Sequence, residues 1–384
     1  MEMEKYMSGK KLISNEIKMH NRQKIYKFIR SEDSASKQDI VIGLQLSLPT
    51  VTQNLQYLEE RGFIDTSQKI KHTGGRNATA YSYIKNAKMA IGVYITPNHI
   101  NAVAVDLSGN VTEKQRKRIK FNIKDEEYLK QIGEVVETVK RNAKIKDSAL
   151  LGVGIAVPSL VSDDGEQVIY GMTLNFYGVT REEIAKYIPY PTRMFHDSFV
   201  AGYAEVWIDH RIENAFYISL NNSVGGAVVI EDEIYTGDNH KSGEIGHMVI
   251  DINSKKQCYC GRYGCLDTVC NAGNLDQYTD GNLEEFFSLL KSGDKGASKL
   301  WDEYLDYLAL AIHNIRMLFN SVVILGGYVG AYLDEYMEEL YRRVDDWNTF
   351  GDHAEDYVIP CKYKVEATAA GAAIVFIDEF IEHI

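Results

Sequence analysis

One order of elements, strands then helix then strand, occurs twice along this chain and constrains its fold more than any other feature. The segment MAIGVYITPNHINAVAVDLSGNVTEKQRKRIKF reads as three strands, with turns at Pro97-Asn98 and Ser108-Gly109-Asn110. The amphipathic DEEYLKQIGEVVETVKRNA follows as a helix. LLGVGIAVPSLV then forms a nearly continuous apolar strand of the kind buried in a mixed sheet. After residue 213 the order returns more loosely. NAFYISLNNSVGGAVVIEDEIYTG supplies three strands, KLWDEYLDYLALAIHNIRMLFN a long helix that could face a core or a second subunit, and SVVILGGYVG an apolar strand ending in glycines. Two such halves predict a duplicated α/β unit with a cleft between two lobes, the usual seat of a ligand. At 384 residues and 45% apolar side chains, the chain has the length for two or three domains.

The first 85 residues are of another kind. They carry 14 Lys and Arg against 9 Asp and Glu, a net of +5, whereas the remaining 28 against 45 give −17. A basic head on an acidic body points the head at a polyanion. Ile25, Phe28 and Ile29 recur at helical spacing, and Ser36 opens a second helical stretch through Asp39, Ile40 and Leu44. Ser47 is placed to cap a third, LPTVTQNLQYLEERG, with Pro49 in its first turn and Gly62 as its stop. Val51, Leu55 and Leu58 share one face of it, which leaves Thr50, Thr52, Gln53, Asn54 and Tyr57 pointing elsewhere. Next, FIDTSQKIKHTGGRNATAYSYI reads as two strands joined at Gly74-Gly75, with Lys69, Lys71 and Arg76 near the tip. Three helices and a two-stranded wing describe a winged helix-turn-helix whose third helix enters the major groove of operator DNA. Ser47, Thr50, Thr52, Gln53, Asn54, Lys71 and Arg76 are the candidate DNA contacts, with Lys18 and Arg22 behind them. The competing reading is a small three-helix module for protein contacts.

No apolar run is long enough to span a bilayer, so no membrane partner is expected. The start, MEMEKYMSGKKLISNEIKMH, lacks the apolar stretch of a signal peptide, and a cytoplasmic protein with reduced thiols is expected. Against that background the cysteines are informative. None occurs before Cys258, after which Cys260, Cys265 and Cys270 crowd together, with Cys361 far behind. Such a cluster in a reducing compartment reads as a metal site before it reads as disulfides. Zn²⁺ takes four tetrahedral ligands, and Cys258, Cys260, Cys265 and one imidazole would close the site, making the metal structural. His247 is the nearest histidine, and Cys270 competes as fourth ligand.

GEIGHMVID followed by CYCGRYGCLDTVC, behind a winged head and ahead of the second apolar strand, resembles the ROK family, which groups sugar-responsive repressors with bacterial sugar kinases. The likeness runs from about residue 15 to the end of the chain. Its most specific element is Glu-x-Gly-His with Cys-x-Cys-Gly-x-x-Gly-Cys about ten residues on. It implies an actin-like, ribonuclease-H-like sugar-kinase fold behind the head (1–85): a first lobe of 86–198 with 368–384, and a second of 199–367 bearing the zinc loop and a dimerisation surface. It assigns His247 as the fourth zinc ligand and leaves Cys270 outside. It also implies sugar contacts at Asn175, His196, Asp197, Glu244, His247 and Asp267. Asp267 stands where the family has Glu, and His196 where it has Asn.

Asp197 holds the place of the kinase base, which deprotonates the attacking hydroxyl. The family's phosphate turn, Asp-x-Gly-Gly-Thr, is however replaced by Tyr94-Ile95-Thr96-Pro97-Asn98, where Pro97 removes an amide donor. A second turn, Gly-Thr-Gly in the kinases, reads Asn221-Asn222-Ser223, although Gly225-Gly226 and Gly326-Gly327 persist. Phosphoryl transfer depends almost wholly on positioning and electrostatics, so these losses imply a kinase fold without kinase activity. The expectation is a sugar-responsive repressor, a homodimer or homotetramer that takes a sugar or sugar phosphate. The alternative is a divergent ATP-dependent sugar kinase that also binds DNA.

Overall fold

The computed structural model describes residues 2–70, 78–171 and 173–384, with side chains from residue 16 onward except those of 67–70 and 78. The head opens with α1 (Glu2–Ser31), followed by β1 (Ser34–Ser36), α2 (Lys37–Leu44), α3 (Leu48–Glu60), β2 (Ile64–Ile70) and β3 (Ala78–Tyr83). Ser36 and Asp39 start α2 as a capping box: the Ser36 hydroxyl accepts the Asp39 N–H at 3.2 Å, and the Asp39 carboxylate accepts the Ser36 N–H at 2.9 Å. Ser47 caps α3 through the Thr50 N–H at 3.3 Å. Val51, Leu55 and Leu58 are buried on the expected face. The sheet has three strands rather than two, because β1 pairs antiparallel with β3. Three residues are too few to leave a periodicity in the sequence.

The body contains two five-stranded sheets. The first is made by β4 (Met89–Ile95), β5 (His99–Asp106), β6 (Val111–Arg118), β7 (Leu150–Val157) and, beyond the small β8 (Leu160–Val161) and β9 (Val168–Tyr170), β10 (Thr192–His196). Helix α4 (Glu126–Asn142) joins β6 to β7, and the single turn α5 (Arg181–Ile184) precedes β10. The spatial order is β10-β7-β4-β5-β6, antiparallel through β4-β5-β6 and parallel through β4-β7-β10. After α6 (Asp197–Ile208), the second sheet is built from β11 (Ala215–Leu220), β12 (Val224–Ile230), β13 (Glu233–Tyr235), β14 (Val322–Gly326) and β15 (Val358–Pro360). Between β13 and β14 lie α7 (Asp267–Cys270), α8 (Gly273–Asp276), α9 (Leu283–Lys291) and α10 (Lys295–Phe319). Beyond β14 come α11 (Gly327–Gly330) and α12 (Met337–Asp345). The order β13-β12-β11-β14-β15, with the same antiparallel and parallel halves, repeats the first sheet. The duplication read from the sequence is therefore a duplication of topology.

The last helix, α13 (Ala367–Glu382), returns to the first sheet. Gly92 of β4 and Gly154 of β7 are register partners, and a Cβ on either would overlap a backbone oxygen of α13, at Ala369 and Ala372 respectively. Two adjacent glycines thus form the groove that admits the helix backbone. Residues of the head and of this layer share one apolar cluster, with Ile25, Ile29, Leu55 and Leu58 joined to Ala90, Val103, Ile374 and Ile377. A separate cluster fills the second lobe. It contains Trp301, Leu305, Leu308, Ile312 and Ile315, so most of α10 faces a core, while Leu318 in its last turn stays 74% exposed. Among the described residues no helix is long and apolar enough to cross a membrane.

Candidate functional site

His247 closes a single 3-10 turn that begins at Ile245. The chain then loops out and back, and an isolated bridge pairs Val249 with Cys265. Within the loop the Cys258 N–H donates to Arg262 O and the Gly261 N–H to Cys258 O, both at 2.8 Å. Gly264 sits at φ +77°, against the Asp251 backbone oxygen, where a side chain would collide. The result brings His247, Cys258, Cys260 and Cys265 together with ligand atoms all within 4.8 Å of one another. Cys260 Sγ lies 3.8 Å from Cys265 Sγ, and Cys258 Sγ lies 3.6 Å from His247 Nδ1. Burial pushes the Cys258 thiol above its ordinary value. These four groups could hold a metal ion. Cys270 is outside the cluster, fully buried with its Sγ toward Tyr304 O at 3.9 Å.

On the other side of His247 is a cavity at the junction of the lobes. His196, Asp197, Glu244 and His247 line it, with Tyr170, Thr173, Ser223 and Tyr259 around them. His196 ends β10 and Asp197 begins α6, so the strand-to-helix turn delivers both side chains to one place. His196 Nε2 is 3.7 Å from Asp197 Oδ1 and 3.7 Å from Glu244 Oε1. The Asp197 carboxylate accepts the Ser198 N–H at 2.7 Å and the Tyr94 hydroxyl at 2.9 Å. Carboxylates and imidazoles ringed by hydroxyls suit a polyhydroxylated ligand, because each carboxylate accepts several hydroxyl hydrogens in charge-assisted bonds.

Two expected contacts are placed elsewhere. Asp267 is 4% exposed and absent from the lining; its Oδ1 accepts the Val224 N–H at 2.7 Å, and burial raises its pKa. One methylene shorter than the usual Glu, it stops at the backbone and braces the start of β12. Asn175 is exposed outside the lining, in a turn at φ +48°, and Thr173 reaches the cavity instead. Tyr259, inside the cysteine motif itself, was not singled out from the sequence. It lines the cavity with its ring 5.0 Å from that of His247. Tyr94, which stands in place of a phosphate-turn residue, holds Asp197. In the replaced phosphate turn, the Thr96 N–H donates to His99 O at 2.9 Å and the Thr96 hydroxyl accepts the His99 N–H at 3.0 Å. The Thr96 amide is thus spent locally, and Pro97 has none to offer.

On the head, Ser47, Thr52 and Gln53 are exposed and Thr50 is half-buried, its hydroxyl 2.8 Å from that of Ser47. Asn54 departs from the expected outward face: it is 5% exposed, and its Nδ2 donates to Thr50 O at 2.8 Å. Arg22 is engaged rather than free, its guanidinium 3.4 Å from the centre of the Tyr57 ring, with Arg61 also over that ring at 4.3 Å. Lys18 is exposed. Lys71 and Arg76 lie outside the described residues, as does the Lys69 side chain.

A putative xylose repressor of Caldicellulosiruptor sp. strain Rt8B.4 is 24% identical over 388 residues, spanning 95% of this chain and 97% of its own length. The crystal structure of a ROK family transcriptional regulator, a homolog of the E. coli MLC protein, superposes with a TM-score of 0.70 at 20% identity, covering 96% of this chain and 97% of that one. A ROK family glucokinase from Streptomyces griseus, solved with glucose and AMPPNP, matches at 0.62 and 18% identity over 75% of this chain and 98% of its own. The kinase likeness is one of fold. The ROK family model matches residues 90–379, from the first strand of the first lobe into the last turn of α13, and the chain belongs to the ROK family.

Proposed function

We propose that this protein is a sugar-responsive transcriptional repressor. Residues 1–85 act as a winged helix-turn-helix that reads operator DNA, and a sugar or sugar phosphate binds between lobes formed by 86–198 with 368–384 and by 199–367. One observation carries the reading. The hydroxyl-binding groups His196, Asp197, Glu244 and His247 converge on one cavity, while in the neighbouring phosphate turn the Thr96 amide is spent on His99 O, Pro97 has no amide, and Tyr94 occupies a lone pair of Asp197. Recognition is kept where phosphoryl transfer has lost its amide cradle. The repressor named among its relatives supports the same conclusion. On α3 the exposed Ser47, Thr52 and Gln53 are the base- and phosphate-facing groups, with Thr50 beside them.

The metal is zinc in a structural role. With Zn–S near 2.3 Å, tetrahedral geometry places neighbouring sulfurs about 3.8 Å apart and sulfur about 3.6 Å from nitrogen. The Cys260–Cys265 and Cys258–His247 separations of 3.8 and 3.6 Å fit that polyhedron. A closed Cys3His shell would tie the loop down without opening a position for water, and His247 would serve the metal through Nδ1 while its ring faces the cavity. Sugar binding at this brace favours one lobe arrangement and changes the spacing of two heads in a dimer, which operator half-sites read as geometry.

The test joins three measurements on the full chain: capture of genomic DNA fragments, the change in their affinity with D-xylose, N-acetylglucosamine and glucose, and transfer of the ATP γ-phosphate to each sugar. Specific DNA binding altered by a sugar, without phosphorylation, is the expected outcome. Operator affinity indifferent to all of these sugars and their phosphates would overturn the sensing half. Phosphorylation abolished by Asp197→Asn would establish the kinase alternative.

A further inference from the structure

Helix α6 reaches from the cavity to the head. Asp197, its first residue, lines the cavity, and Trp207 in its last turn lies under the guanidinium of Arg30 from α1, 4.0 Å from the ring centre. The ten residue steps from one to the other span about 15 Å of helix. Trp207 is 7% exposed and its Nε1–H donates to Asp378 Oδ1 at 2.9 Å; the other oxygen of Asp378 accepts the Tyr203 hydroxyl at 2.6 Å. Asp378 belongs to α13, whose end also meets the head. There Glu382 bonds Gln23 and Lys27, and Phe380 meets Phe63 edge-on with centroids 5.2 Å apart.

Three further observations bear on how such a helix moves. Where α6 crosses α13, Gly371 lies so close to Val200 that a Cβ would overlap its carbonyl, so at that point the two backbones are in direct contact. Packed helices of this kind move by small shear displacements as rigid units. The interior faces of α6 are buried along its length, including Val200, Ala201, Ala204 and Val206, and a close-packed element passes on a displacement instead of absorbing it. Beside the joint, a cavity of about 1420 Å³ opens between part of α1 and both lobes, lined by Lys27, Arg30, Trp207, Asp232 and Glu382. His196 lines both cavities, and its Nδ1 is buried with no hydrogen-bond partner.

We propose that α6 acts as a rigid lever, with the Arg30–Trp207 contact as the joint through which occupancy of the cavity sets the position of the head. The proposal rests on the reading of the cavity as a sugar site. A ligand hydroxyl that engages Asp197 alters the bonds at the first turn of α6, where Tyr94 of the first sheet now holds it. The helix transmits that change to the indole, and the guanidinium follows or lets go. An Arg–aromatic contact is weak enough to break and re-form in a switch. Arg30 and Trp207 are positioning residues: neither touches the ligand or the DNA-facing side of α3.

The decisive experiment needs no ligand. Hydrogen exchange of the α1 amides, Gln23 to Ser31, and the indole N–H resonance of Trp207 are followed in the full chain. Asp197→Asn disturbs the cavity end of α6, and exchange in α1 should rise about threefold or more, the Trp207 resonance moving with it. Glu244→Gln, in the same cavity but off α6, should leave both unchanged. In an Arg30→Met background the effect of Asp197→Asn on α1 should vanish, the signature of a coupled pair. Ser198→Ala, which removes a hydroxyl bond to Asp197, replaces Asp197→Asn if that variant is unfolded. An equal response to Glu244→Gln, no response to the α6 variants, or an undiminished effect in Arg30→Met would each overturn the joint. A parallel titration with D-xylose, glucose and N-acetylglucosamine separates the two ideas. If none of them stabilises the protein the sugar reading fails, while the exchange cycle still decides the lever.

Discussion

His247 stands where the cavity and the Cys/His cluster share a wall, so the two are physically one site. Its Nδ1 is 3.6 Å from Cys258 Sγ and its ring packs 5.0 Å from Tyr259, which lines the cavity. Cys260→Ser should therefore lower bound zinc from about one per chain to a small fraction, measured by elemental analysis, and weaken sugar binding with it. Sugar affinity that survived complete removal of the metal would refute the bracing role. Asp209 gives a different kind of residue-scale prediction. Arg211 grips its carboxylate through two bonds of 2.8 Å and Lys362 adds a third at 2.8 Å, holding its pKa below the ordinary carboxylate range. A depressed folded-state pKa means that the stabilisation is present above about pH 4 and is lost as pH falls below it. Asp209→Asn should be less stable than the parent in urea at neutral pH, and the gap should begin to narrow as the pH falls from about 4 toward 3; a gap constant across that range would contradict the assignment. Asn54 and Asp267 mark how far single residues are legible. Asn54 is three residues after Val51 and four before Leu58, the core spacing of α3, so its burial was in the sequence and its polar character obscured it. The fate of Asp267 was not, since whether a carboxylate meets a ligand or the Val224 N–H depends on one methylene and a neighbouring strand.

At the scale of elements, α3 separates recognition from stability. Thr52 and Gln53 are exposed while Asn54 is buried and bonded to Thr50 O. Gln53→Ala should leave the melting temperature within about a degree or two and weaken operator binding severalfold, because exposed substitutions cost little stability. Asn54→Ala should do the reverse, lowering stability by about 1 kcal/mol through its lost bond and packing. If Gln53→Ala bound DNA as the parent does in a gel-shift titration, α3 would not be the reading helix. The caps at Ser36 and Ser47 and the ends of α2 and α3 were readable because capping is local chemistry. The short β1 was not, and neither was the groove made by Gly92 and Gly154, two glycines 62 positions apart that only sheet register brings side by side.

At the scale of the molecule, the head does not stand alone. Its apolar cluster is continuous with the α13 face of the first sheet, whereas the second lobe is filled by a separate cluster around α10. Cooperative units follow shared cores, so calorimetry should find the head melting together with the first lobe, and a head that unfolds in its own earlier transition would disprove the shared core. The sequence by itself determined the duplicated α/β order, the helices of the head and the clustering of the cysteines, because periodicity, capping and motif spacing act over a few residues to a few tens of residues. Tertiary structure alone decided which of the carboxylates meet the cavity, that Tyr94 holds Asp197, and that α6 touches the head through Trp207. Those outcomes depend on distances between elements far apart in the chain, set by sheet register and helix crossing, which leave no local pattern in the residues that obey them.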